Sequence, residues 1–72
     1  QIGNLMGKKI ENRIRILRAE KGITQEDLAK ACGLSRQSIN AIEKGKYIPT
    51  VHTAIRIAEY FKVGVEDIFK IK

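Results

Sequence analysis

The sequence predicts a small all-α domain built from five helices. Its 72 residues are enough for one domain with a single core. Apolar residues recur at the three- and four-residue spacing of helices, most clearly in residues 25–43 and 51–61. Gly22 and Gly33 each follow such a pattern, where a glycine commonly ends a helix.

The composition favours polyanions as partners. The formal net charge is +6, which suits nucleic acid, although an acidic substrate or a membrane surface would fit charge alone. No apolar run approaches the roughly 20 residues of a membrane span, and no signal peptide is evident. We therefore expect a soluble, cytoplasmic protein with no membrane partner.

One cysteine and one histidine cannot form a disulfide or a zinc cluster within the chain. Cys32 suits either a small core residue or a redox switch, and its place on an apolar helical face favours the core. The sequence predicts no metal and no cofactor.

The first helix is expected from Asn12, as its N-cap, to Lys21, with Gly22 as its stop. Arg18 follows Ile14 by four residues and so shares its inward face. Stranding a buried charge costs several kcal/mol, so Arg18 needs an acidic partner unless its side chain reaches solvent.

Two short helical patterns follow, separated by Gly33. Thr24 is the expected N-cap of the first and Ser35 of the second, and Gly33 can take the left-handed conformation between them. Three residues form the inward face of the first pattern: Leu28, Ala29 and Cys32.

The second pattern has one apolar face, with Ile39 and Ile42, and an opposite face without acids. That opposite face carries Arg36, Gln37, Asn40, Ala41 and Lys44. Guanidinium and amide groups beside a small residue suit base edges in the DNA major groove. An ordinary solvated face is the alternative interpretation.

The spacing of this unit resembles the Cro-repressor (XRE-like) helix-turn-helix. The residues at the matching positions are Gln25, Ala29, Gly33, Leu34, Ile39, Ile42 and Glu43, and the resemblance extends from about Asn12 to Phe69. The chain is similar to compact regulators typified by the cytolysin repressor. The resemblance implies a Cro/lambda-repressor-like fold with the helix-turn-helix at helices two and three, and a short β pairing of residues 8–10 with residues 69–71.

The resemblance also implies roles for individual residues. Arg36, Gln37, Asn40 and Ala41 would read bases, while Gln25, Ser35, Lys44, Lys46 and Tyr47 would contact phosphates. In similar repressors the loop at residues 44–49 runs along the DNA backbone and also uses main-chain amides. Arg18 and Glu43 would form an internal ion pair. Gln25 would also steady the first residues of the recognition helix. Two alternatives stay open: Gln25 could bond to a loop, and Tyr47 could pack on Pro49.

The fourth helix is predicted over residues 51–61 and the last over residues 65–69. The fourth has an expected core stripe of Val51, Ala54, Ile55, Ala58 and Phe61. Ile16, Ile57 and Tyr60 fall off the main stripes and, with any uncovered part of Val65, Ile68 and Phe69, could form a dimer contact. Lys62 occupies a position where relatives often have glycine.

The expected function is a sequence-specific double-stranded DNA-binding regulator, a homodimer on a pseudo-palindromic operator with residues 35–44 in the major groove. A protein-binding module, such as an antitoxin or coactivator domain, is the alternative. No catalytic constellation or small-molecule site is evident. We expect residues 8–72 to form the domain and residues 1–7 an extension, partly non-native if Met6 is the initiator.

Overall fold

The computed structural model describes residues 10–71, and the expectations for residues 1–7, Lys8 and Lys9 lie outside them. Five helices and two strands form this part of the chain. In order they are β1 (Ile10–Asn12), α1 (Ile14–Lys21), α2 (Gln25–Cys32), α3 (Arg36–Glu43), α4 (Val51–Phe61), α5 (Val65–Ile68) and β2 (Phe69–Ile71). The predicted five-helix fold is confirmed.

One core joins all five helices. Its six largest fully buried side chains are Ile14, Leu28, Ile39, Ile42, Ile57 and Ile68. Each helix contributes at least one of them, and burying such a side chain contributes roughly 1.5–3 kcal/mol. The core therefore fixes α3 against the other helices.

The terminal β pairing exists, and its first strand extends two residues beyond its predicted end at Ile10. β1 and β2 are antiparallel, with Ile10 opposite Ile71 and Asn12 opposite Phe69. Asn12 therefore belongs to a strand, and Arg13 occupies the N-cap position of α1. The last helix correspondingly ends at Ile68, because Phe69 is already extended.

Helix α4 has the predicted bounds but a different buried face. Ile57 is 0% exposed, whereas Val51 and Ile55 are 76% and 43% exposed. Ala54 and Ala58 are buried as predicted, so the two stripes differ at Val51, Ile55 and Ile57. Local periodicity cannot reveal which part of an apolar helix face the other elements cover.

The α4 C-terminus contains a conformation that is rare for a side-chain-bearing residue. Lys62 adopts the left-handed region with φ of 60°, where glycine would be free of steric strain. Lys62 N donates to Glu59 O at 3.1 Å and Val63 N donates to Ala58 O at 3.0 Å, and these two bonds complete the helix end. The chain therefore makes this left-handed turn with a lysine in place of a glycine.

Candidate nucleic-acid interface

The corner between α2 and α3 is closed by backbone hydrogen bonds. Gly33 has φ of 70°, which lets the chain reverse, and Leu34 N donates to Ala29 O at 2.8 Å. Leu34 is half-buried and packs against the core. The corner therefore fixes the direction in which α3 leaves α2.

Both helices at this corner begin with side-chain caps. Thr24 Oγ1 accepts from Asp27 N at 3.0 Å, and Asp27 Oδ2 accepts from Thr24 N at 3.0 Å. The hydrogen bond from Thr24 N to the carboxylate, helped by the Thr24 hydroxyl, lowers the pKa of Asp27. Ser35 Oγ accepts from Ser38 N at 3.1 Å and starts α3.

The outer face of α3 carries the predicted base-reading residues. Arg36 and Gln37 are exposed, while Asn40 and Ala41 are half-buried, and Ile39 and Ile42 are buried on the opposite face. The helix is therefore rotated as its amphipathic pattern predicts, and the exposed cation and amide lie together near its N-terminus.

The acid at the end of α3 is turned inward to Arg18. Arg18 Nε donates to Glu43 Oε2 at 2.6 Å and Nη2 donates to Oε1 at 3.1 Å, while Nη1 donates to Ile23 O at 3.2 Å. The hydrogen bond to Glu43 raises the pKa of the Arg18 guanidinium. The predicted partners are thus brought together, and the pair ties α1 to the C-terminal end of α3.

Gln25 joins this pair to the outer face of α3. Its Nε2 donates to Glu43 Oε1 and to Asn40 Oδ1, each at 3.2 Å. Both hydrogens of that nitrogen therefore have an acceptor. The resemblance implied that Gln25 reaches a phosphate and steadies the first residues of the recognition helix, but it did not predict the contact with Asn40.

A second missed contact holds the C-terminal end of α3. Asn12 Nδ2 donates to Ile42 O at 2.9 Å, and Asn12 Oδ1 accepts from Ile14 N at 3.2 Å. The last carbonyl groups of a helix lack partners within it, so Asn12 satisfies one of them. A strand residue 30 positions away carries no local signal of this role.

The loop after α3 uses its main-chain donors internally. Gly45 N donates to Ile42 O at 3.0 Å, whereas Lys46 N and Tyr47 N donate to Ala41 O at 2.9 and 3.3 Å. A main-chain phosphate contact through Gly45, Lys46 or Tyr47, of the kind that the resemblance implied for this loop, would require one of these bonds to break. The side chains of Lys44, Lys46 and Tyr47 are exposed.

A further cation lies at the corner. A Cβ added to Gly33 would be 3.8 Å from Arg56 Nη1. The guanidinium of this α4 residue therefore lies beside the turn. Arg56 lies outside the core stripe predicted for α4, and local periodicity carries no signal of its place beside the turn. Burial raises the pKa of the neighbouring Cys32 thiol, which agrees with a core role for that residue.

Other classes of site find no support among residues 10–71. In this part of the chain no three or more His, Cys, Asp or Glu side chains are grouped to hold a metal ion. None of the helices in the same range is long and apolar enough to cross a membrane.

An exposed cation and amides on a helix that follows a glycine corner define the arrangement of a helix-turn-helix DNA-binding domain. The sequence model of the family described as "Helix-turn-helix" matches residues 14–68, and the chain belongs to this family. The match covers all five helices, so the motif and its supporting core are both included.

Individual proteins agree with this family. An HTH-type transcriptional regulator from Methanocaldococcus jannaschii is 53% identical over 60 residues, which are 83% of this chain and 91% of that protein. One from Archaeoglobus fulgidus is 47% identical over 60 residues, covering 83% and 86%. The restriction-modification controller protein C.AhdI from Aeromonas hydrophila superposes with a TM-score of 0.71 at 29% identity, covering 76% of this chain and 83% of that one.

Proposed function

We propose that the protein is a transcriptional regulator that binds double-stranded DNA in a sequence-specific manner, with residues 35–44 in the major groove. One observation carries the proposal: α3 presents Arg36 and Gln37 outward while Glu43 is neutralised by Arg18 on its inner side. The acid-free outer face meets the DNA, and the ion pair keeps the helix from tilting. The relatives named transcriptional regulators support this function.

The exposed α3 side chains supply the base contacts. Arg36 has a planar fork that matches guanine O6 and N7, and Gln37 can make the two-point contact to adenine N6 and N7. Asn40 lies one turn after Arg36 and Ala41 one turn after Gln37 on the same outer face. Ala41 is small enough to allow close approach or contact with a thymine methyl.

Phosphate contacts flank this face. Lys44, Lys46 and Tyr47 contact the backbone through their side chains. Ser35 and Gln25 lie at the N-terminal ends of α3 and α2, where main-chain N–H groups and the helix dipole favour an anion. For Gln25 we assign the contact to the main chain, because its Nε2 hydrogens already have acceptors.

The protein acts as a homodimer on a pseudo-palindromic operator. Ile48, Val51 and Ile55 are 65%, 76% and 43% exposed. They adjoin a groove also lined by Ile10, Pro49, Ala54, Val65 and Phe69. We call these eight residues the apolar face. A second copy would cover it, because isologous pairing buries the same patch on both subunits and presents two recognition helices.

Selection of bound duplexes from a random DNA pool tests this function. A pool that converges on two inverted half-sites is expected. Arg36→Ala should then cost about 1–3 kcal/mol at the preferred site and relax discrimination at one base pair. Arg36→Lys is the matched control, because it keeps the charge but loses the two-point fork.

Equal loss on every sequence would show that Arg36 touches only phosphate. A protein-binding role on the same fold would instead give no salt-dependent binding to any duplex, since phosphate contacts release counterions. A salt titration with random duplex DNA distinguishes these outcomes.

A further inference from the structure

Four side chains form a continuous polar chain from α1 to the outer face of α3. Arg18 donates to Glu43, Gln25 Nε2 donates to Glu43 Oε1 at 3.2 Å, and the same nitrogen donates to Asn40 Oδ1 at 3.2 Å. The chain begins at a shielded ion pair and ends at a residue proposed to face DNA bases.

The chemistry of Glu43 fixes the orientation of both amides. An ionised carboxylate only accepts hydrogen bonds, so the Gln25 atom beside it must be the donor Nε2. The opposite orientation would place Gln25 Oε1 against Glu43 Oε1, two acceptors without a proton between them. With Nε2 in place, Asn40 must turn Oδ1 towards Gln25.

Asn40 Nδ2 is left for an external partner. It has no partner among residues 10–71, where Asn40 contributes only Oδ1 to a side-chain hydrogen bond. No buried side-chain nitrogen or oxygen in that part of the chain lacks a partner, so this nitrogen reaches the surface. Asn40 therefore presents two N–H donors outward.

We infer that Gln25, oriented by Glu43, makes Asn40 a donor and thereby selects guanine over adenine at the base pair that Asn40 contacts. Guanine offers O6 and N7, both acceptors, in the major groove. Adenine offers N7 and the donor N6, and its two-point contact with an asparagine needs the Oδ1 that faces Gln25. This inference rests on the proposed DNA-binding function and adds a specificity-determining residue that does not itself touch a base.

The first experiment locates the base pair and measures its preference. Asn40→Ala identifies the position at which discrimination is lost on duplexes carrying each of the four base pairs. The unmodified protein should prefer guanine to adenine there by roughly tenfold or more. Gln25→Met, which keeps the length of the side chain but removes its donor, should reduce that ratio to within about threefold.

Gln37→Met is the matched control, because it removes an amide from the same surface without touching the polar chain. Because Gln37 is itself proposed to read a base, this variant should lose discrimination at its own base pair and leave the preference at the Asn40 position unchanged. A preference for adenine there, no position assigned to Asn40, or a guanine preference that survives Gln25→Met would overturn the inference alone. Absence of any sequence-specific binding by the unmodified protein would overturn the proposed function as well.

A measurement on the unmodified, DNA-free protein avoids reliance on the variant's folding. In NMR exchange experiments, the two Gln25 Nε2 hydrogens should exchange with water more slowly than the Asn40 Nδ2 hydrogens, because only the former are bonded within the protein. Equal exchange of the two amides would contradict the fixed orientation.

Discussion

The corner between α2 and α3 and the apolar face differ in whether their groups find partners within a single chain. At the corner that holds α3, polar groups are paired within the chain: Arg18 with Glu43, Gln25 with Glu43 and Asn40, and Asn12 with the end of the helix. On the apolar face, Ile48 and Val51 are largely exposed. The corner is thus paired within one chain, whereas the apolar face exposes apolar side chains that a partner would cover.

This difference separates two kinds of free energy. Removing one partner of a hydrogen bond at the corner should lower the free energy of unfolding of a single chain, because the remaining partner stays shielded from water and unpaired. Removing apolar area from the exposed face should change the free energy of unfolding little. It should instead weaken the association of two chains. Substitutions in the two regions should therefore give opposite patterns in folding and assembly experiments.

The largest effect is expected for Glu43→Ala. The substitution leaves the Arg18 guanidinium, whose side chain is 16% exposed, without its carboxylate and leaves Gln25 Nε2 without one acceptor. We expect a loss of about 3 kcal/mol in the free energy of unfolding, measured by urea denaturation.

The double variant Arg18→Met with Glu43→Leu provides the control, since replacing both charges with apolar groups should recover most of that stability. A loss below about 1 kcal/mol for Glu43→Ala would instead class the bridge with ordinary surface ion pairs. The corner would then not differ energetically from the rest of the surface.

An intermediate effect, confined to assembly, is expected for Val51→Lys. Val51 is exposed, so the free energy of unfolding of the monomer should change by no more than about 0.5 kcal/mol. Lysine side chains within the proposed interface should convert the proposed dimer to monomers in sedimentation equilibrium. Affinity for a two-half-site operator should fall roughly 100-fold as the linkage between half-sites is lost.

Ile16→Lys is the matched control, because Ile16 is a half-exposed isoleucine of α1 outside the apolar face. It also belonged to the alternative dimer contact suggested by the sequence. Dissociation by Ile16→Lys and not by Val51→Lys would move the interface to α1. Two of the other sequence candidates, Ile57 and Ile68, are fully buried and unavailable for any interface.

The sequence predicts features that depend on neighbouring residues better than contacts between separate elements. The bounds of α2 and α3, their caps and the Gly33 turn follow from residues within a few positions of one another. The Arg18 and Glu43 pairing was available from resemblance. The Gln25 to Asn40 contact and the Asn12 contact with Ile42 depend on how separate elements meet, which periodicity does not encode. The exposure of Val51 and Ile55 on α4 was missed for the same reason.

The smallest effect is expected for Lys62→Gly, at the opposite end of α4 from Val51. A side-chain-bearing residue in the left-handed region costs roughly 1 kcal/mol, part of which glycine loses again through the greater freedom of the unfolded chain. The free energy of unfolding should rise by about 0.5 kcal/mol, measured by urea denaturation. Lys62→Ala, which removes the charge but keeps Cβ, should give no such gain. If DNA affinity and the dimer dissociation constant are unchanged in Lys62→Gly, stability alone does not alter the corner or the apolar face. The effects of Glu43→Ala and Val51→Lys can then be assigned to those regions. A change in DNA affinity or in the dissociation constant would mean that the two regions are coupled through α4.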